Sequence, residues 1–293
     1  MSKRWLPILI LLLLVAGLAV WVYWIERSPK PESPPLVASF TADKVHHIVI
    51  ERQTDRMEFK RQGDSWYMTE PFNALADAYH IQQLLALPNQ TSQTRYAAAG
   101  LDLGRFELNP PQAIVRLEDA EFRFGGQNPL NFQRYLQVGE VVHMTADTLF
   151  HQLTAPATTW VEHKLLPAGI LQGIELPGWR ITHTDTGGWT SEPEVPAAEL
   201  EQLVDTWRTA RAIQVTPYTD EPSPQDQRIR IAIDDKTLEF IILQREPELI
   251  LLRPEQKLRY HFYGAIGQRL LTPKRQSETD AGTSRDRDDT PGP

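Results

Sequence analysis

The side chains that could do chemistry are spread along the chain and form no known motif. The eight histidines lie at positions 46, 47, 80, 143, 151, 163, 183 and 261. His46 and His47 are adjacent, so on a strand they point to opposite faces and cannot bind one metal ion. No HxxxH or HExxH spacing occurs. The histidines therefore predict no metal site, and the lack of cysteine excludes disulfides, thiolate ligands and a cysteine nucleophile.

Two pairs of acidic residues and one glycine-rich stretch are candidates for catalytic or phosphate-binding elements. Asp119/Glu121 and Asp234/Asp235 could act as general acid and base, but each pair falls between two strand patterns, where Asp forms turns. The stretch GGQNPLNFQRY (125–135) leads towards a strand, whereas a phosphate cradle opens a helix, so it predicts a turn or β-bulge. We predict no catalytic, cofactor-binding or metal-binding residue, and no cofactor. A hydrolase with an unrecognised site stays open, because perturbed acids cannot be identified from sequence.

A short motif that occurs twice indicates how the chain is organised. It reads DSWYMTEP at 64–71 and GGWTSEP at 187–193. Its shared residues are Trp66, Glu70 and Pro71 in the first copy and Trp189, Glu192 and Pro193 in the second. In both copies, two short alternating strands precede the Glu-Pro, and Pro ends a strand because it lacks the backbone N–H. We interpret all six residues as structural repeat markers, with the tryptophans packed in hairpins.

The similarity of the two copies continues beyond this motif. A helix follows each copy, and its apolar positions correspond at one constant offset: Ile81, Leu84 and Leu85 with Leu200, Leu203 and Val204. Three further strands and a short helix complete each copy. The sequence therefore predicts an α+β fold with mostly antiparallel sheets, in which a ββ-α-βββ-α module occurs over 40–165 and again over 166–272.

The N-terminal part predicts a membrane anchor. Residues 5–25 carry no charge, and a helix of that length spans roughly 30 Å, the thickness of the hydrocarbon core. A cleaved signal peptide would end in small residues, whereas bulky ones follow here, so we predict an uncleaved transmembrane signal anchor. Lys and Arg within 1–4 favour a cytoplasmic N-terminus and an external C-terminal part. A proline-rich linker at 26–39 and a disordered tail at 273–293 flank the folded region.

Several stretches together resemble the DUF4340 family of bacterial proteins of unknown function. They are the W…EP motif, the helix D-x-x-x-I-x-x-L-L from Asp77, the run FELNPP (106–111), the strand AIVRLED (113–119), GG…YLQVG (125–139) and WVEHKLL (160–166). The resemblance covers about 40–272. It implies a single-pass protein of the bacterial inner membrane, and some members accompany auxiliary components of gliding-type ABC transporters. The family offers no functional residues to carry over.

These patterns lead to one expected function and one alternative. We expect a non-enzymatic, membrane-anchored envelope protein with a periplasmic or extracytoplasmic domain, acting as accessory or scaffold subunit of a complex such as an ABC-type transporter. The alternative is an extracytoplasmic module that binds a glycan or small molecule in a cleft between the two repeats. The net charge of −8 disfavours nucleic acid. Tyr260, Phe262 and Tyr263 are candidate contacts for a protein partner, unless their strand buries one face.

Overall fold

The computed structural model describes residues 14–18, 36–38, 42–92, 94–184, 187–223 and 225–273, which are mostly β-structure in two antiparallel sheets. The first sheet contains β1 His47–Arg52, β2 Arg56–Gln62, β3 Ser65–Glu70, β4 Ala74–Leu75, β5 Thr94–Ala97, β6 Ala113–Leu117, β7 Ala120–Gln127, β8 Gln133–Val138 and β9 Val141–Ala146. The second contains β10 Leu171–Leu176, β11 Trp179–His183, β12 Trp189–Glu192, β13 Gln214–Pro217, β14 Gln227–Ile233, β15 Lys236–Gln244, β16 Glu248–Arg253 and β17 Leu258–Tyr263. The helices beside the sheets are α1 Ala78–Leu85, α2 Phe150–Leu153, α3 Ala197–Thr209 and α4 Ala265–Leu271.

The two sheets have the same strand order apart from one added strand. The first runs β4-β3-β2-β1-β6-β7-β8-β9-β5, and the second runs β12-β11-β10-β14-β15-β16-β17-β13. In each sheet, the first three strands form a meander, β1–β3 or β10–β12. The first strand of that meander pairs with the first strand of a four-stranded meander, β6–β9 or β14–β17. The strand that follows the first helix returns to the far edge, as β5 beside β9 and β13 beside β17. Only β4 has no counterpart in the described part of the second half.

Alternation of apolar and polar residues gives each sheet one buried face. In β2, Met57 and Phe59 are fully buried, while Glu58 and Lys60 lie on the opposite face. The buried faces of both sheets and the helices beside them form one continuous apolar core. The free energy that drives this assembly is the removal of apolar surface from water, about 25 cal/mol per Å².

A side-chain cap begins α1, and the two longer helices, α1 and α3, each bury one apolar stripe. The Asp77 carboxylate accepts a hydrogen bond from the backbone N–H of His80 at 3.1 Å, which caps α1. Ile81 and Leu84 of α1 are then buried. In α3 the buried side chains follow helical spacing and are Leu200, Leu203, Val204 and Trp207.

A connecting segment, residues 160–165, makes backbone hydrogen bonds to both halves. On one side, the N–H of Glu162 donates to the carbonyl of Leu75 at 2.8 Å. On the other, the N–H of Ala212 donates to the carbonyl of His163 at 2.9 Å. The connecting segment therefore ties the end of β4 to the chain that leads into β13.

The predicted α+β class and its ββ-α-βββ-α module are wrong, because strands dominate the structure. The W…EP motif is itself a third strand, β3 or β12, and does not end a two-stranded hairpin. Five strands, not three, follow the first helix of each half. The additional edge strand β5 is exposed at all four residues, so its sequence carries no alternation to reveal it.

The described helices also do not include the predicted transmembrane helix. No helix in the described part of the chain is long and apolar enough to cross a membrane. Of the predicted anchor at 5–25, only 14–18 is described, and those residues are helical. The segment 1–4, most of the predicted linker at 26–39 and the tail beyond residue 273 lie outside the described residues.

Candidate functional site

The three aromatic residues expected to contact a partner face different surroundings in β17. Tyr260 and Phe262 are buried in the core, with 2% and 1% of their surface exposed. Tyr263 is 47% exposed, and a hydrogen bond with Glu248 raises the pKa of its hydroxyl. Of the three, only Tyr263 presents its side chain to solvent.

The repeat markers occupy corresponding places in β3 and β12. Both Glu residues end their strands and both following peptide bonds to proline are cis: Glu70–Pro71 and Glu192–Pro193. Trp66 is buried, whereas Trp189 is half-buried and stacks edge-on against His183 at 5.0 Å between ring centroids. These residues shape the ends of two strands, and they do not come together as a site.

Three of the four acidic residues in these pairs lie at tight turns between neighbouring strands, and the fourth, Glu121, lies in β7. Asp119 follows Glu118, which has a positive φ of 50°, in the turn between β6 and β7. Asp234 has a φ of 49° in the turn between β14 and β15, and its carboxylate accepts a hydrogen bond from the N–H of Ile170 at 2.9 Å. Asp tolerates this left-handed conformation better than most residues, so the turn accounts for Asp234, while Asp119 follows the left-handed residue of its own turn.

The glycine-rich stretch forms the end of β7 and the turn after it. The register between β7 and β8 shifts between Phe124 and Gln127, which is a β-bulge or local irregularity. A Cβ at Gly125 would lie 2.4 Å from the carbonyl oxygen of Phe106, so glycine allows the 103–108 segment to pack closely. The stretch does not open a helix and therefore offers no phosphate cradle.

A polar cleft of about 570 Å³ lies between the two halves. Its walls come from β3 and β4 of the first half, the connecting segment and the chain after it, and two turns of the second half. The two turns are residues 233–236, between β14 and β15, and residues 253–256, between β16 and β17. Its size is in the range of small-molecule sites, about 300–1,000 Å³. The cleft therefore combines residues that are far apart in the sequence.

The charged side chains of this cleft are only partly paired with one another. They are Glu162, Lys164, Asp234, Asp235, Lys236, Arg253 and Glu255. Glu162 pairs with Arg211 at 3.0 Å. In the described ranges, Lys164, Lys236 and Arg253 have no carboxylate within ion-pair distance, and the buried Nε of Arg253 has no hydrogen-bond partner. Buried polar groups are nearly always hydrogen-bonded, so this side of the cleft can receive hydrogen-bond acceptors from a ligand.

Tyr260 forms the floor of the cleft on the second-half side. Its hydroxyl donates a hydrogen bond to the side-chain oxygen of Gln256 at 2.7 Å. Burial raises the pKa of Tyr260 to about 12, and the charge of Glu162 adds to this rise while Arg253 opposes it. The hydroxyl therefore stays protonated at neutral pH and serves as a fixed, neutral donor.

Each half also contains one buried histidine at a corresponding strand position. His143 of β9 pairs with Leu136, and its Nδ1 lies 3.0 Å from the hydroxyl of Ser92. His261 of β17 pairs with Ile250, and its Nε2 lies 2.8 Å from the hydroxyl of Thr216. Both hydroxyls belong to the chain at or next to an edge strand.

The second histidine lies in a hydroxyl–imidazole–carboxylate arrangement that sequence reasoning missed. Nδ1 of His261 is 3.4 Å from a carboxylate oxygen of Glu248. The Thr216 hydroxyl also accepts a hydrogen bond from the Nε of Arg259 at 3.1 Å, so it contacts both Arg259 and His261. Because the first half repeats the histidine–hydroxyl contact without such a carboxylate, we interpret it as an anchor for the edge strand. In the described part of the chain, no group of three or more possible ligands could hold a metal ion.

The outer faces of both sheets carry alternating charges across neighbouring strands. Arg116 of β6 contacts Glu51 on one side and Glu121 on the other. A hydrogen bond from Arg123, and a second from Arg116, lowers the pKa of Glu121. The corresponding Arg230 of β14 contacts its two carboxylates at 3.9 and 3.7 Å. These ladders are a third to half exposed and suit a solvated sheet face.

Comparisons with known proteins find one family. The model of the DUF4340 family, described as a domain of unknown function, matches residues 66–228, which is more than half of the chain. The match begins at Trp66 in β3 and ends in β14, so it includes the connecting segment and parts of both sheets. Neither the search of curated proteins nor the search of solved structures found a match.

Proposed function

Because the chain belongs to the DUF4340 family, whose function is unknown, we propose a function from the geometry of the chain itself. We infer that it is a non-enzymatic binding protein of the bacterial envelope, and that its cleft binds a small polar molecule or a glycan unit. The ligand carries at least one anionic group. The single observation that supports this is the polar cleft between the halves, in which three cationic side chains have no ion-pair partner among the described residues.

The buried Nε of Arg253 favours an anionic group on the ligand. Glu162 is paired with Arg211, so the remaining charges on the walls of the cleft are balanced, with three acids and three bases. Arg253 differs from the other two bases because its Nε is buried and has no hydrogen-bond partner in the described ranges. A carboxylate or phosphate group would satisfy the Nε of Arg253, which otherwise remains unpartnered at a cost of about 1–3 kcal/mol.

Calorimetric titration of the purified full chain in mild detergent tests this function. The probes are a panel of uronic acids, sugar phosphates, amino acids and short anionic glycans, each compared with its neutral analogue. We expect an anionic member to bind and its neutral analogue to bind at least about tenfold more weakly, which is about 1.4 kcal/mol. If every member fails to bind at millimolar concentration, the cleft is not a ligand site for these classes.

Variants connect any binding to the cleft. Lys164→Ala and Arg253→Ala should weaken binding of the anionic probe. Lys44→Ala and Arg228→Ala are matched controls, because Lys44 lies in a surface turn and Arg228 on the outer face of β14. Equal affinity in all four variants would place the binding elsewhere.

We further propose that the protein is an accessory or scaffold subunit at the inner membrane, for example of an ABC-type transporter. The uncharged sequence at 5–25 and the positive residues before it support a membrane location with the sheets on the external side. Co-purification in mild detergent tests this role, and a chain that runs alone under several conditions would refute it. For topology, Asp220→Cys introduces one exposed thiol into a chain without cysteine, and labelling only after lysis of spheroplasts would overturn the external placement.

A further inference from the structure

The corresponding strands β3 and β12 differ at their outer edges. β4 pairs with β3 at Tyr67 and Met68, and the N–H of Ala76 donates to the carbonyl of Trp66 at 2.8 Å. In the described ranges, β12 pairs only with β11 and ends the second sheet. A strand at such an end presents a row of unpaired N–H and C=O groups that another strand can use.

The length of the following connection explains this difference. Seven residues, 71–77, separate the last residue of β3 from α1, whereas four residues, 193–196, separate β12 from α3. The shorter connection leaves no residues to form a counterpart of β4. An open groove of about 850 Å³ instead lies along residues 189–197.

The residues that line this groove include two acidic and no basic side chains, and Arg180, the register partner of Glu192 in β11, contacts Glu175 instead. Between 187 and 205 the sequence contains no Lys or Arg. The acidic residues in that range are Glu192, Glu194, Glu199, Glu201 and Asp205. Within the part of the chain that the structure describes, Glu192 and Glu194 are exposed and neither forms an ion pair. An incoming strand with basic side chains would therefore meet complementary charge.

We propose that the open edge of β12 accepts an extended, basic segment of a protein partner by strand addition. The segment would lie antiparallel to β12, in the place that β4 takes beside β3. Backbone hydrogen bonds supply the pairing, and Glu192 and Glu194 select for Lys or Arg. This surface shares no lining residue with the cleft, so the inference is independent of what the cleft binds.

The test uses the purified full chain in detergent and two labelled peptides, the basic KVKVKVK and the acidic EVEVEVE. We expect the basic peptide to bind in fluorescence anisotropy and the acidic one to bind at least about tenfold more weakly. Binding should also slow amide hydrogen exchange at residues 189–192, which mass spectrometry resolves. Affinity for the basic peptide should fall as salt rises, because exposed charges are screened.

Charge reversal at the groove is the decisive comparison. Glu192→Lys/Glu194→Lys should lower the affinity for the basic peptide at least about tenfold. Asp220→Lys/Glu221→Lys, an exposed pair in another loop, makes the same change in net charge and should leave the affinity unchanged. The proposal is overturned if the two double variants bind alike, or if exchange at 189–192 does not change with bound peptide. Protection of 189–192 by self-association without peptide would also overturn it, because the edge would then belong to a second copy.

Discussion

The two halves of the molecule share a strand order and a core pattern but differ in their polar positions. His143 lies opposite Leu136 of β8, and His261 lies opposite Ile250 of β16. Two residues before these partners, β8 has Arg134 and β16 has Glu248, so the two residues occupy corresponding positions. The first half there has a buried Arg134–Asp147 ion pair with a nitrogen–oxygen distance of 2.8 Å. The second half has a carboxylate near a histidine and a tyrosine. The comparison teaches that apolar alternation fixes this architecture, while polar positions and edges can diverge.

The largest expected effect tests whether the two halves contribute equally to one core. Trp160 and Trp207 are both fully buried, and each tilts by 51° against a core phenylalanine, Phe59 or Phe240. Trp160→Ala and Trp207→Ala should each lower the free energy of unfolding by ~3–5 kcal/mol, because each leaves a large cavity. Chemical denaturation followed by circular dichroism measures both.

Phenylalanine at the same two positions separates packing from hydrogen bonding. The Nε1 of Trp207 donates to the carbonyl of Leu270 at 3.0 Å, whereas the Nε1 of Trp160 has no partner in the described ranges. Trp207→Phe should therefore cost ~1–3 kcal/mol more than Trp160→Phe. Equal losses would contradict the difference that we see between the two sites.

The next effect concerns the position at which the halves have opposite charges. Asp147→Asn leaves the buried Arg134 without its carboxylate and should destabilise the fold by ~3 kcal/mol. Glu248→Gln removes a carboxylate that has no such cation, so we expect a smaller loss, ~1 kcal/mol. Urea unfolding midpoints, compared at one pH, rank the two variants. A larger loss for Glu248→Gln would reverse our assignment of the ion pair as the stronger contact.

A pH effect distinguishes the first histidine from exposed ones. Burial, followed by the nearby charge of Arg95, lowers the pKa of His143 below its usual 6.5. As the pH falls below about 6.5, the unfolded chain binds a proton at this position before the folded chain does. The stability contributed by neutral His143 is therefore complete above that pH and is lost as pH falls through the lowered pKa. Melting temperatures of His143→Gln should decline less than those of the wild type between pH 7.5 and 5, whereas exposed His151→Gln should behave like the wild type.

The smallest effect concerns the charge ladders on the outer faces. Arg116→Ala should cost ~0.5–1 kcal/mol, because Arg116 contacts two carboxylates closely. Arg230→Ala should lower the free energy of unfolding by only about 0.2–0.5 kcal/mol, as is typical of exposed ion pairs, because its contacts are longer. Unfolding at low and high salt checks this, and both losses should shrink as salt rises.

Local alternation made part of the fold predictable from the sequence. The strand expected over 113–119 is found at Ala113–Leu117, and the helical stripe Leu200, Leu203 and Val204 is buried. These features depend on neighbours in the sequence. The short edge strands β5 and β13 were missed because they pair with β9 and β17, more than forty residues away, and their sequences give little alternation. The overestimate of helix relative to strand came from that omission and from the third strand, β3 or β12, that the W…EP motif forms in each half.

From the sequence, a cleft between the two halves could be predicted only as one of two alternatives. Its lining extends from Gln62 to Tyr260, so no local window contains it. The unpartnered Nε of Arg253 depends on how the β16–β17 turn meets the connecting segment, which is a property of the assembled chain. From the sequence, Tyr260 was either a partner contact or a residue on the buried face of its strand, and the structure places it in the interior, next to Gln256.

The connecting segment has a consequence for how such a duplicated chain can evolve. The carbonyl of Leu75 and the N–H of Ala212 each take their partner from residues 160–165, between the two copies. A gene split at this point would remove one of these hydrogen bonds from one product or the other, at a net cost of about 0.5–1.5 kcal/mol each. We therefore expect the two copies to be inherited as one unit, within which each edge and each polar position can change separately.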